Sequence, residues 1–260
     1  MSGYFESHAH YDDVAYDEDR HQLLSEILPE FGIEKIVNVG SSMKSSLISA
    51  QLATIYPNVY ASVGVHPHEV SSLNEDDMKT LSDLTENKKV VAIGEIGLDY
   101  YRNNSSQEAQ VYWFKKQLSV AAETNKPVII HSRDAAQETF DILSDWSKTT
   151  SRKFKGVVHC FSSSWELAAE YVKLGFFIGI GGIVTYKNAK KMVEVVQKIP
   201  LEYILLETDC PYLSPEPKRG TRNDSRNLMF ITKKLSEIVN KKPEQVISVT
   251  NSNSLYVFFS

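Results

Sequence analysis

Cysteine is scarce in this 260-residue chain. The two present, Cys160 and Cys210, are far apart and form no C-x-x-C pair, which excludes a disulfide framework and a thiolate zinc site. A reducing compartment is the expectation. An excess of basic residues is also missing: 28 lysines and arginines against 33 acidic residues leave a net charge of −5. Bulk positive charge therefore cannot grip a polyanion, and any nucleic-acid contact must be local. No apolar run approaches the length of a bilayer span, and the opening MSGYFESHAH has no basic segment leading into an apolar core. We expect a cytoplasmic protein with no membrane partner. Without a coiled-coil pattern or an obvious dimer surface, monomer is the default. Low-complexity stretches, fixed-period repeats and long linkers are absent, so a single domain over residues 1–260 is expected, built on one large core.

What is present is a rhythm. Eight short apolar runs rich in β-branched and aromatic residues recur along the chain: GYFESH, KIVNVG, VYASVGV, VVAIGEIG, PVIIHS, KGVVHCF, FFIGIGG and YILLETD. Helical patterns fill the gaps between them. After the fourth run, Ser105 to Glu108 has the form of a capping box, followed by Val111, Phe114, Leu118 and Ala121 at helical spacing. That helix should stop before Lys126-Pro127. Leu23, Leu24, Ile27, Leu28 and Phe31 make an amphipathic stripe with Gly32 as its cap. Eight strand–helix units predict an α/β fold, a closed (β/α)8 TIM-type barrel. The open doubly wound sheet is disfavoured, because no glycine-rich phosphate loop follows the first run.

Six of the seven histidines, His8, His10, His66, His68, His131 and His159, fall at or just past the C-terminal ends of these runs, and only His21 lies elsewhere. In a barrel those ends share one face. His8 and His10 are two apart, so strand alternation points both to one side, where two imidazoles can hold one metal. Glu95, His131, His159 and Asp209 each end a further strand. Six such ligands exceed what one catalytic zinc takes, whereas a pair of ions bridged by Glu95 uses them all. Glu95 and Asp209 also sit in apolar surroundings where a carboxylate needs a compensating cation. Glu207, two residues before Asp209, is a candidate to orient a ligand. Cys160 and Cys210 each follow a ligand directly, so alternation should turn them away from it. His66 and His68 are candidates to donate hydrogen bonds to substrate, with His66 favoured. Arg133 and Arg222 are candidate phosphate clamps. Lys218, Arg219 and Arg222 form the densest basic cluster near an active-site strand, and Tyr100, Tyr101, Tyr212 and Trp165 offer stacking surfaces.

Taken in order, SHAHYDD, GVHPH, GEIGLDYYR, KPVIIHSRDA, HCFSSS, ETDCPYLSP and KRGTRNDS resemble the TatD family of metal-dependent hydrolases in the amidohydrolase superfamily, and the resemblance runs through nearly the whole chain. It implies a TIM-type barrel with two divalent ions, one held by His8, His10, Glu95 and Asp209, the other by Glu95, His131 and His159. It further implies that Asp209 is the base that deprotonates the attacking water, with Glu95 as the shared carboxylate. Two positions depart from the family pattern. Glu6 stands where an aspartate is usual, and Ser225-Arg226 follows RND where many relatives have an RNEP-like sequence. By this resemblance the chain is expected to be a 3'-5' exonuclease-like deoxyribonuclease acting on DNA or RNA, single-stranded ends favoured. The alternative is hydrolysis of an ester, amide or lactone, including an aminoacyl ester on tRNA. A barrel that has lost catalysis and serves as a scaffold is disfavoured by the full set of ligands. The ions are expected to be zinc, manganese or magnesium, with imidazole ligands suiting magnesium least.

Overall fold

The computed structural model describes residues 3–102 and 104–260. Its strands are β1 (Tyr4–Ala9), β2 (Ile33–Val39), β3 (Val59–Val63), β4 (Val90–Asp99), β5 (Val128–Arg133), β6 (Gly156–Val158), β7 (Phe176–Ile180) and β8 (Ile204–Leu206). Each pairs in parallel with the next in chain order. The circle closes through the turn after β8: Cys210 accepts from the His10 N–H, and the Asp209 N–H donates to the His8 carbonyl. Glu6, the departure from the family pattern, serves this closure. Its carboxylate accepts from the N–H and hydroxyl of Thr208 at 2.9 and 2.7 Å. The eight runs thus form the (β/α)8 barrel expected of them.

The helices are α1 (Arg20–Gln22), α2 (Leu28–Glu30), α3 (Met43–Ile55), α4 (Glu75–Leu84), α5 (Gln107–Glu123), α6 (Ala136–Trp146), α7 (Trp165–Lys173), α8 (Lys190–Lys198), α9 (Leu228–Val239) and α10 (Pro243–Phe259). Two sequence expectations need correction here. The N-cap of α5 is Ser106, accepting from the Ala109 N–H, while Ser105 instead ties Ser71 N–H to the His68 carbonyl. The stripe at Leu23–Phe31 is also not one regular helix. A π-helical turn over Leu23–Ile27 separates α1 from α2, because Pro29 has no N–H to continue the ladder. Leu23, Leu24 and Leu28 are buried, but Phe31 stays exposed, and Gly32 closes the turn at φ +87°. Among the described residues no helix is long and apolar enough to cross a membrane.

The interior of the barrel is graded along its axis. Ile129, Val157, Phe177 and Leu205 pack inside with Val257 and Phe258 of α10, which plugs the bottom. Two residues further on, within β5 and β7 and one residue past the ends of β6 and β8, the row reads His131, His159, Gly179 and Glu207. Alternation of period two therefore converts an apolar floor into a polar mouth within one step.

Candidate metal centre at the barrel mouth

His8 and His10 face each other with Nε2 atoms 3.1 Å apart. Both Nε2 atoms also approach carboxylates: His8 lies 3.6 Å from Glu95 Oε2 and 3.6 Å from Asp209 Oδ1, and His10 lies 3.8 and 3.4 Å from the same atoms. A tetrahedral ion with ligands at roughly 2.0–2.1 Å has ligand–ligand separations of about 3.4 Å, so these five distances fit a cage around one cation. Two buried imidazole nitrogens this close must share either a proton or a cation between them. Glu95 turns its other oxygen the opposite way, with Oε1 2.8 Å from His131 Nδ1 and 3.0 Å from His159 Nε2. The structure thus brings all six expected ligand residues together, and the donor set suits a divalent metal.

Neighbours fix which ring nitrogen faces inward. His10 donates from Nδ1 to the Val39 carbonyl at 2.8 Å, leaving Nε2 for the cluster. Glu207 is fully buried beside His159, with Oε1 3.4 Å from its Nδ1, and accepts from the Cys160 N–H. Gly179 makes room for it, since a Cβ there would lie 2.4 Å from Glu207 Oε2. His66 accepts the His68 N–H at its Nδ1, so its Nε2, 3.7 Å from Glu95 Oε1, carries the proton. Burial pushes His66 down to about 3, so it stays neutral. Burial would raise Glu95, yet the charge of His159 and the hydrogen bonds of His131 and His159 hold it well below the usual carboxylate range. Asp209 is likewise lowered against its burial, by His10, His159 and His8.

Asp99 is the member that sequence reasoning missed. It ends β4, is buried, and sets Oδ2 3.1 Å from His131 Nε2 and 2.9 Å from His68 Nε2. The signal was available: residues 95, 97 and 99 share one side of a strand by the rule that paired His8 with His10. Gly97 between them must be glycine, at φ +148° with a Cβ position only 1.9 Å from the His131 carbonyl oxygen.

The remaining candidates scatter. Cys160 is a correction, because β6 ends at Val158 and alternation ends with it. At φ +42° the half-buried Cys160 borders the site, its thiol raised by burial and by Asp209, Glu207 and Glu95. Cys210 is buried away from the mouth beside Tyr11, Tyr16 and Glu6. Glu207 and Asp209 likewise lie past the end of β8, and Asp209 takes a left-handed φ of +56°. Arg133 stacks its guanidinium 3.7 Å above the exposed Tyr101 ring. Arg222 instead forks onto Asp19 and the Ala15 carbonyl, and Arg219 lies over Tyr186. Lys218 and Arg222 line a cleft of about 300 Å³ with Phe31, Met229 and Phe230. Tyr100 bonds Glu138, and Tyr212 reaches Asp13 with its ring 6.1 Å from that of His10. Trp165, at the start of α7, lies under Lys198. Ser225, the other departure, shares a 2.7 Å hydrogen bond with the buried Tyr11 hydroxyl.

A family model described as TatD related DNase matches residues 5–259. The uncharacterized metal-dependent hydrolase YabD of Bacillus subtilis (strain 168) is 36% identical over 254 residues, covering 98% of each chain. The uncharacterized metal-dependent hydrolase YcfH of Escherichia coli (strain K12) is 33% identical over 259 residues, covering 97% of this chain and 94% of that one. Among solved structures, YjjV, a TatD homolog from Escherichia coli K12, superposes with a TM-score of 0.92 at 29% identity, over 99% of this chain and 98% of that one.

Proposed function

Because the chain belongs to the TatD-related DNase family and is a metal-dependent hydrolase, we propose that it is a deoxyribonuclease that shortens single-stranded DNA from the 3' end using two divalent ions. The observation that carries this reading is Glu95, whose two oxygens face two separate histidine pairs. His8, His10, Asp209 and Glu95 would hold one ion, and Glu95, His131 and His159 the other. Bound there, divalent ions would supply a water of near-neutral pKa and polarisation of the scissile phosphate. Asp209, which its lowered pKa keeps ionised, would orient the attacking water and accept its proton. Glu207 steadies His159 from behind. His66 donates from Nε2 to a phosphoryl oxygen, and Arg133, stacked on Tyr101, meets the phosphate or base of the strand end. Arg222 reaches substrate only by giving up Asp19, so it ranks below Arg133 as a clamp.

The test is cleavage of an end-labelled single-stranded oligonucleotide with manganese, magnesium and zinc added separately, beside a His8→Ala, His10→Ala protein. Stepwise shortening from the 3' end by the unmutated protein alone is the expected result. Bound metal by elemental analysis without cleavage in any ion would overturn the nuclease reading and favour carboxylic ester or amide substrates.

A further inference from the structure

Asp99 has no part in the six-ligand set, yet the fold invests heavily in holding it. Its Oδ1 accepts the N–H groups of Tyr101 and Arg102 at 3.0 Å each. Its own N–H and carbonyl are clamped by the buried amide of Gln110 at 2.8 and 3.0 Å. This leaves Oδ2 immobile and aimed at His131 Nε2. His131 therefore lies between two carboxylates, Glu95 at Nδ1 and Asp99 at Nε2. A neutral imidazole has one proton to place, and only the nitrogen without it can bind a cation.

We propose that Asp99 is a positioning residue that keeps the His131 proton on Nε2, so that Nδ1 is free to hold the ion shared with Glu95 and His159. The inference rests on the two-ion reading above. Without Asp99, the short Glu95 contact draws the proton to Nδ1, and metal must then displace it. The neighbouring His10 has the same task done by a backbone carbonyl. A carboxylate is the stronger acceptor, and it raises the basicity of the ligand nitrogen as well as fixing its tautomer. His68 Nε2 stands close to Asp99 Oδ2 but out of hydrogen-bond alignment, so His131 is the partner that the geometry favours. A competing account makes Asp99, His66 and His131 ligands of an ion of their own. Against it, His66 already uses Nδ1 to accept the His68 N–H, so its inward Nε2 has a proton and no lone pair.

The experiment titrates zinc into the full-length protein against a chromophoric chelator, for the unmutated chain and Asp99→Asn. An asparagine that keeps its oxygen on Tyr101 and Arg102 must turn its NH2 to His131 and force the other tautomer. Expected are two equivalents in both proteins, one weakened about 10–100-fold in the variant and the other within two-fold. Both equivalents binding the variant as tightly as they bind the unmutated chain overturns the proposal and leaves the two-ion reading standing. A single equivalent in the unmutated chain overturns both. A third equivalent lost in Asp99→Asn overturns it in favour of direct ligation. If the variant does not fold, nitrogen-15 NMR of the zinc-loaded unmutated chain decides: a proton on His131 Nε2 supports the proposal, and one on Nδ1 overturns it.

Discussion

His10 shows how a side chain is prepared for a cation. Its Nδ1 is committed to the Val39 carbonyl, and its Nε2 faces Asp209 and Glu95. Burial alone would lower its pKa, but the hydrogen bond and charge of Asp209, with Glu95 behind, push it up to about 9. In metal-free protein His10 is therefore protonated at neutral pH, and an incoming ion must expel that proton. Calorimetric metal titrations at pH 7.5 in two buffers of different ionisation enthalpy should differ by the heat of protons released. Because the bound form lacks the proton, metal affinity should rise with pH and level off above about 9; heats independent of buffer at pH 7.5 would contradict this. Asp209 permits a separate check. Asp209→Asn keeps the shape and an oxygen ligand but removes the proton acceptor, so kcat should fall roughly 10²–10⁴-fold. Elemental analysis showing retained metal would assign that loss to the base. Undiminished turnover would move the base to another residue.

Among the elements, α5 does most to shape the site without contributing a ligand. Gln110 and Gln117 are seven residues apart, on one face with Phe114 and Ala121, and both are fully buried. Gln110 clamps the backbone of Asp99 at the end of β4, and Gln117 accepts the Val65 N–H at 2.7 Å and donates to its carbonyl at 3.1 Å, one residue before His66. One helix thereby sets the height of two strand ends. Gln117→Ala leaves a buried donor and acceptor unmet and should cost about 1–3 kcal/mol in chemical denaturation. Loss within experimental error would show that water replaces the amide. These glutamines also mark where sequence reading stops. The apolar stripe at Phe114, Leu118 and Ala121 is legible from periodicity, as are the eight strands and the six convergent ligands. A polar residue in such a stripe reads as a solvated interruption, because only the fold reveals that a strand end lies opposite it. Asp99 was within reach of the alternation rule. Cys160 was not, because where β6 ends depends on its pairing with β5 and β7, and past that end the chain turns left-handed.

Across the whole molecule, stability and chemistry occupy opposite ends of the barrel. The bottom is an apolar plug in which Phe5 stacks on Phe258 with ring centroids 5.9 Å apart. The mouth gathers histidines and carboxylates that are buried and mutually close, several of them with unmet polar atoms such as His8 Nδ1 and Glu207 Oε2. Without an ion, those groups contribute desolvation cost with incomplete compensation. Chelation should therefore lower the melting temperature without dismantling the fold, because the apolar floor and the layer between strands and helices owe nothing to metal. Free ion at about 100 times its dissociation constant stabilises by about 2.7 kcal/mol per site. For a chain of this size each kcal/mol shifts the melting temperature by roughly 2–4 °C, so one site filled to that level corresponds to about 5–10 °C. Thermal denaturation with and without chelator, followed by far-UV circular dichroism, measures it. A drop of that order with an unchanged spectrum before melting fits a preformed mouth on an independent barrel. Loss of the spectrum on chelation would make the ions part of the folding core, and an unchanged melting temperature would mean that the cluster does not bind them.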